Sequence, residues 1–204
     1  MEGLLIYIST YSSLIPLLII FKYWRFSSKI DLLYVALVLS SFISDFLCLH
    51  LFSKAGSTYH IINIYLIIEI SLLGLIFSNQ RTPWRNGTKV VFCILLGCLV
   101  FQFLDDGLFN YFSDFLSIYS LVIICLCLLQ YFWIYKTCTL EFIDQVSIFW
   151  YNSVLFFFFG GSLFTDVLSS SILNGPLQWS FLQFANILKN ILITIGIWKI
   201  PRHT

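Results

Sequence analysis

The sequence predicts an all-helical membrane protein, a bundle of seven transmembrane helices. Of its 204 residues, 59% are hydrophobic and only 10% are charged, whereas soluble domains average about 25% charged residues. A soluble domain of this size still exposes about a third of its chain surface to water. The mean hydropathy of +0.92 therefore indicates that lipid surrounds most of the chain.

Seven apolar runs, separated by polar residues, follow one another along the chain. A spanning helix needs about 20 mainly apolar residues, and only the fourth run falls well short of that length. The runs are 4–21, 32–51, 61–77, 90–103, 115–135, 146–168 and 181–198. Pro16 predicts a kink in the first run. Gly160-Gly161 in the sixth allows either a close approach of two helices or a bend, and we expect the close approach.

The basic residues predict the orientation of the bundle. Most of them follow the odd-numbered runs, namely Lys22, Arg25, Lys29, Arg81, Arg85, Lys89, Lys136, Lys199 and Arg202. Since positive charge in short loops stays on the cytoplasmic side, we expect the N-terminus outside and the C-terminus in the cytoplasm. This split requires an odd number of spans. The expected location is the inner (plasma) membrane of the cell.

An internal repeat connects the second and sixth runs. Residues 41–47 match residues 162–168, with Ser, Asp and Leu identical, and Asp45 aligns with Asp166. The same register continues into the third and seventh runs. We predict one transmembrane domain over 1–204 built by duplication. Its parts are a first three-helix repeat (1–81), a linker helix (82–110) and a second three-helix repeat (111–204).

The chain resembles the SWEET and PQ-loop carriers in three features: the 3 + 1 + 3 plan, the outside N-terminus and the small size. The resemblance implies transport of a small solute at the interface of the repeats. The Pro-Gln pair of that family is absent, because Leu17 follows Pro16, so sugar or amino-acid specificity is not implied. Residues 63–69 (NIYLIIE) are similar to a stretch of small seven-span bacterial proteins, some linked to signalling kinases.

Three ionisable residues fall inside the apolar runs: Asp45, Glu69 and Lys189. Each charge inside a membrane costs about 2.5 to 3.5 kcal/mol on insertion scales, so it needs a partner or a purpose. Glu69 and Lys189 lie near the middle of the third and seventh runs, which run in the same direction. We therefore expect these two residues at similar depth, as an ion pair.

Helical spacing extends this pair into a polar patch. Positions i, i+3 and i+4 share a helix face, as do Tyr65 and Glu69, and the three polar residues around Lys189. The predicted ligand-binding residues are Asp45, Tyr65, Glu69, Asn152, Asn186, Lys189 and Asn190. Two interpretations remain open: a midplane site for a small polar ligand, an ion or a proton, or polar contacts that fix helix packing. For Asp45 the alternatives are a cation near an outer vestibule and a hydrogen bond from Ser41.

The sequence contains no catalytic motif of a known type and no CxxC among its six cysteines, so we expect neither an enzyme nor a metal site. A net charge of +1 and a pI near 7.6 argue against a nucleic-acid partner, which needs a concentrated basic face. An oligomer is compatible with the sequence. One alternative function is an accessory protein whose basic inner loops, with Arg81, Arg85 and Lys89, dock a cytoplasmic signalling or defence partner. Another is a retinal protein with a Schiff base on Lys189, although Ala185 replaces the usual carboxylate or serine one turn earlier.

Overall fold

The computed structural model describes residues 2–22, 29–55, 58–80, 82–107, 110, 112–137, 147–169 and 175–198, and these residues form helices and short connections without a strand. The helices are α1 (Glu2–Ser12), α2 (Leu14–Lys22), α3 (Lys29–Ala55), α4 (Tyr59–Asn79), α5 (Arg85–Asp106), α6 (Ser113–Thr137), α7 (Ser147–Ser169) and α8 (Gly175–Trp198). Arg25, Arg81, Lys199 and Arg202, on which part of the predicted orientation rests, lie outside the described residues.

Seven stretches of the described chain are long and apolar enough to cross a membrane, which confirms the seven predicted spans. They are Leu4–Lys22, Lys29–Leu51, Tyr59–Asn79, Arg85–Asp105, Asp114–Thr137, Ile148–Thr165 and Ser180–Trp198. The fourth is longer than the apolar run 90–103 because the polar residues at both of its ends remain helical. The chain therefore has the architecture of a multi-pass membrane protein.

The first span is broken into α1 and α2 at Ser13. Pro16 lies in the first turn of α2, where its missing N–H costs nothing, but it leaves the carbonyl of Ser12 without a helical donor. The hydroxyls of Ser12 and Ser13 donate to the carbonyls of Ser9 and Thr10. Side chains thus supply donors at the end of α1, inside an apolar span where water cannot.

The helices form two compact units. The first, the five-helix unit, comprises Met1–Trp24 and Ser113–Thr204 and so contains α1, α2, α6, α7 and α8. In it α8 packs against α1, α2 and α7, and α7 also packs against α6. The contact of α7 with α8 is close: a Cβ atom built on Gly161 would lie 3.0 Å from the Cβ of Ala185. Of the two adjacent glycines in the sixth span, Gly161 lies at the predicted close approach of two helices.

The second, the three-helix unit, comprises Arg25–Phe112 and contains α3, α4 and α5. Helix α4 packs against both of the others. Gly74 allows the approach of α5, since a Cβ atom there would lie 3.1 Å from Phe92, and the rings of Phe77 and Phe92 stack with centroids 5.9 Å apart. These units are defined by packing, and the duplication along the chain stays a prediction.

Burial follows the pattern expected for a protein surrounded by lipid. Large apolar side chains such as Phe101, Leu104 and Phe132 are exposed, whereas serine, threonine, asparagine and glutamine side chains are buried on most of the helices. The apolar outer surface suits a hydrocarbon solvent. The polar groups inside it are the places where a function specific to this chain should lie.

Candidate functional site

In the three-helix unit, Tyr65 and Glu69 form the centre of a polar site on α4. Glu69 is only 7% exposed, and the Tyr65 hydroxyl donates a hydrogen bond to its Oε1 atom over 2.9 Å. The i, i+4 spacing puts the two side chains on one face, as the sequence predicts. A buried carboxylate is thereby stabilised by a charge-assisted hydrogen bond.

Helix α3 contributes the other half of this site. The Tyr65 hydroxyl also hydrogen-bonds the side chain of Ser41 and interacts electrostatically with Asp45, one turn further along α3. We call Ser41, Asp45, Tyr65 and Glu69 the acidic cluster. In it Glu69 accepts a hydrogen bond from the phenol and Asp45 acts on the same phenol through its charge, so a change in the charge of either carboxylate affects one hydroxyl group.

In the five-helix unit, Asn186 and Asn190 connect α8 to α1. The Nδ2 atom of Asn186 donates to the Ser9 hydroxyl over 3.0 Å, and that of Asn190 donates to the Ser12 hydroxyl over 2.8 Å. We call these four residues the serine–asparagine seam. Its hydrogen bonds hold α1 on α8, which is the role expected of polar groups at helix interfaces in membranes.

Lys189 lies between the two asparagines in sequence and faces a different helix. It is 9% exposed, and its Nζ atom lies 4.5 Å from the centroid of the Phe158 ring on α7. This is the geometry of a cation–π interaction, which is stronger when the cation is removed from water. The ammonium group thus has an aromatic neighbour on α7, while the asparagine amides point to α1.

Asn152 joins α7 to α6. Its amide donates to the backbone carbonyl of Cys127 over 2.9 Å, and both residues are buried. The hydroxyl of Tyr131 on α6 donates to the Ser153 hydroxyl on α7 over 2.7 Å. Asn152 is therefore part of a polar contact between two helices.

The structure thus places the seven predicted site residues in two groups. Asp45, Tyr65 and Glu69 lie together in the three-helix unit, while the others belong to the five-helix unit, namely Asn152, Asn186, Lys189 and Asn190. The expected ion pair between Glu69 and Lys189 joins residues of different units and stays a prediction.

Sequence reasoning missed several polar residues of these units. Ser9 and Ser12 interrupt an apolar run just before Pro16, and that interruption was the available signal. Gln80 and Thr82, between α4 and α5, are buried although connections in membrane proteins usually face water. Their side-chain oxygens find no hydrogen-bond partner among the residues that the structure describes.

The described part of the chain contains no group of three or more His, Cys, Asp or Glu residues able to hold a metal ion. No protein-family profile, curated protein or solved structure matches this chain. The assignment therefore rests on the fold and on the buried polar groups. Together they define a multi-pass membrane protein with charged side chains inside its helical units.

Proposed function

We propose that this chain is a seven-span inner-membrane protein without enzymatic activity that binds a small polar solute or an ion and either transports it or signals its presence. The proposed binding groups are the acidic cluster in the three-helix unit and Lys189 in the five-helix unit, each considered by itself. The 3 + 1 + 3 duplication and the outside N-terminus are part of this proposal. They supply the repeat interface at which carriers of that plan bind their solutes.

The buried carboxylate of Glu69 is the observation that supports this proposal. It lies in the middle of α4, among apolar residues, where a charge costs about 2.5 to 3.5 kcal/mol. Helix packing alone needs no such charge, because hydrogen bonds between neutral groups, like those of the serine–asparagine seam, connect helices at lower cost. The Tyr65 hydroxyl and Asp45 beside it allow a cation or a proton to be taken up and released.

The test is uptake by purified protein in lipid vesicles. Four probes are offered: radiolabelled glucose, glycine and acetate, and protons, which a pH-sensitive dye inside the vesicles reports. Binding of the same probes is measured in detergent as a rise in the thermal unfolding temperature. We expect at least one probe to be taken up or bound, and the Glu69→Gln variant to lose at least nine-tenths of that response.

The matched control is Asp105→Asn, which removes one carboxylate charge from an exposed position on α5 and should leave the response unchanged. Tyr65→Phe keeps both carboxylates and removes the hydroxyl that hydrogen-bonds Glu69, so we expect an intermediate loss. The proposal fails if no probe is taken up or bound. It also fails if Glu69→Gln and Lys189→Met both respond as the wild type does.

A second candidate function is the docking of a cytoplasmic protein, and exposed basic residues favour it. Arg85 and Lys89 lie one turn apart at the start of α5, and both are exposed; Arg81 lies outside the described residues. An acidic partner would be lost from purified complexes when Arg85 and Lys89 are both changed to Gln, and retained in the control Lys136→Gln. Transport or sensing by the acidic cluster requires no such loss.

A further inference from the structure

Two exposed basic side chains lie at the start of α5 in the three-helix unit. Arg85 is the first residue of the fourth span, and Lys89 follows one turn later; we call them the basic pair. Residues at positions i and i+4 share a helix face, so the two positive charges lie on the same side of α5. No acidic residue of α5 precedes Asp105, which lies about 24 Å beyond Lys89 at 1.5 Å per residue. The exposed charge on this stretch of the helix is therefore positive.

The same side of α5 continues as an apolar surface toward the other end of the span. In steps of one turn from Lys89 come Cys93, Gly97 and Phe101, all of them exposed; we call these three residues the open face. A Cβ atom built on Gly97 would meet nothing within 4 Å, and Phe101 is 71% exposed. Helix α5 packs against α4 through a different stripe of residues, which is buried. In a protein surrounded by lipid, the open face is covered by acyl chains.

The position of Lys89 distinguishes between the partners that two exposed positive charges can have. Lys89 lies within the span, and its neighbour Val90 is 58% exposed, so lipid surrounds the stem of the lysine. A lysine at this depth extends its ammonium group to the level of the lipid headgroups, and Arg85 begins the span at that level. A water-soluble protein would have to displace lipid to contact both charges. The location of the basic pair therefore favours a lipid headgroup.

We propose that Arg85 and Lys89 bind the phosphate of one anionic phospholipid, and that its acyl chain lies along the open face. A guanidinium group fits two phosphate oxygens at once, and an ammonium group adds a point charge. A zwitterionic headgroup carries its own cation beside the phosphate, which repels the basic pair, so the site prefers a lipid of net negative charge. Asp31, in the first turn of α3, is buried and so does not line the exposed side of α5.

The experiment is non-denaturing mass spectrometry of the purified full chain in detergent. Equal amounts of phosphatidylglycerol and phosphatidylcholine with identical acyl chains are added, and the bound lipids of each kind are counted. Each basic residue near an anionic surface raises affinity about fivefold, so we expect the first bound lipid to be phosphatidylglycerol with a preference of about 25-fold. Arg85→Gln/Lys89→Gln should abolish this preference and leave the binding of phosphatidylcholine unchanged. Equal binding of the two lipids by the wild type overturns the proposal.

The matched control is Lys22→Gln/Lys136→Gln, which also removes two exposed positive charges, each from the end of another span. It should keep the preference for phosphatidylglycerol, because neither charge lies on α5. A loss as large in this control as in Arg85→Gln/Lys89→Gln would show a general attraction between the positive ends of the helices and anions. That result would also overturn the proposed site.

Two competitors identify the source of the phosphate. Glycerol 3-phosphate and inorganic phosphate carry the charge without acyl chains, so neither should displace phosphatidylglycerol even in large excess. Displacement by either one would assign the basic pair to a free phosphate compound and overturn the proposal.

The same variants separate this site from the two functions proposed above. Suppose that an acidic protein copurifies with the wild type and is lost from Arg85→Gln/Lys89→Gln, while the lipid preference is unchanged. The basic pair would then be a protein-docking surface, and the lipid proposal would be overturned. Glu69→Gln, which tests the acidic cluster, should keep the lipid preference, so the lipid site and the solute site fail independently of each other.

Discussion

The two adjacent glycines of α7 allow a matched test of how closely helices pack in the five-helix unit. A Cβ atom on Gly161 would lie 3.0 Å from the Cβ of Ala185 on α8, whereas a Cβ atom on Gly160 would meet nothing within 4 Å. Both atoms of the short contact are attached directly to backbone, so no rotamer change can relieve it. Gly161→Ala must therefore push α7 and α8 apart.

The size of the effect follows from ordinary contact distances. Carbon atoms prefer separations of about 3.5 to 4.0 Å, so the helices must separate locally by about 0.5 to 1 Å. Overpacking of this kind costs about 1 to 3 kcal/mol. The gain of replacing glycine by alanine in a helix, about 0.4 to 1 kcal/mol, is shared by Gly160→Ala and cancels in the comparison.

We expect Gly161→Ala to be less stable than Gly160→Ala by about 1 to 3 kcal/mol, or roughly 2 to 4 °C in Tm for each kcal/mol. The assay is thermal unfolding of the two variants in the same detergent. Ala185→Gly removes the second methyl group but itself costs about 0.4 to 1 kcal/mol as a glycine in a helix. In a double-mutant cycle with Gly161→Ala we therefore expect a favourable coupling of about 1 to 3 kcal/mol. Equal unfolding temperatures for Gly160→Ala and Gly161→Ala, or zero coupling in the cycle, would refute the reasoning.

Two further predictions concern α8. In a double-mutant cycle of Asn190→Ala with Ser12→Ala, we expect a favourable coupling of about 0.6 kcal/mol, the average for hydrogen bonds between helices in membranes. Zero coupling would show that this hydrogen bond does not stabilise the contact of α1 with α8. Addition of all-trans-retinal to the purified protein should give no visible absorption band, since we assign Lys189 to solute binding. A band that disappears in Lys189→Ala would instead support the retinal alternative.

The seven spans could be predicted from the sequence because the length and composition of an apolar run are local properties. The pairing of Tyr65 with Glu69 is local too, since it follows from one helical turn. The break in the first span was only half predictable. Pro16 indicates a kink, but its position at Ser13 depends on two serine hydroxyls reaching back to the carbonyls of α1.

Contacts between helices could not be predicted in the same way. Ser9, Ser12 and Ser41 have hydroxyls that any helix tolerates, and their role depends on which face of a neighbouring helix they meet. The buried state of Gln80 and Thr82 depends on how α4 and α5 close around their connection, which no local pattern records. Asn186 and Lys189 were expected on one face, and the structure shows their side chains turned toward different helices.

The serine hydroxyls at the end of α1 have a consequence for the synthesis of the protein. Unsatisfied backbone groups in lipid cost several kcal/mol each, so a broken helix would ordinarily have to wait for neighbouring helices before it could leave the translocon. Here Ser12 and Ser13 supply donors to two of the terminal carbonyls from within the same segment. Two of the terminal carbonyls of α1 therefore have a hydrogen-bond donor before Gly175, where α8 begins, has been synthesised.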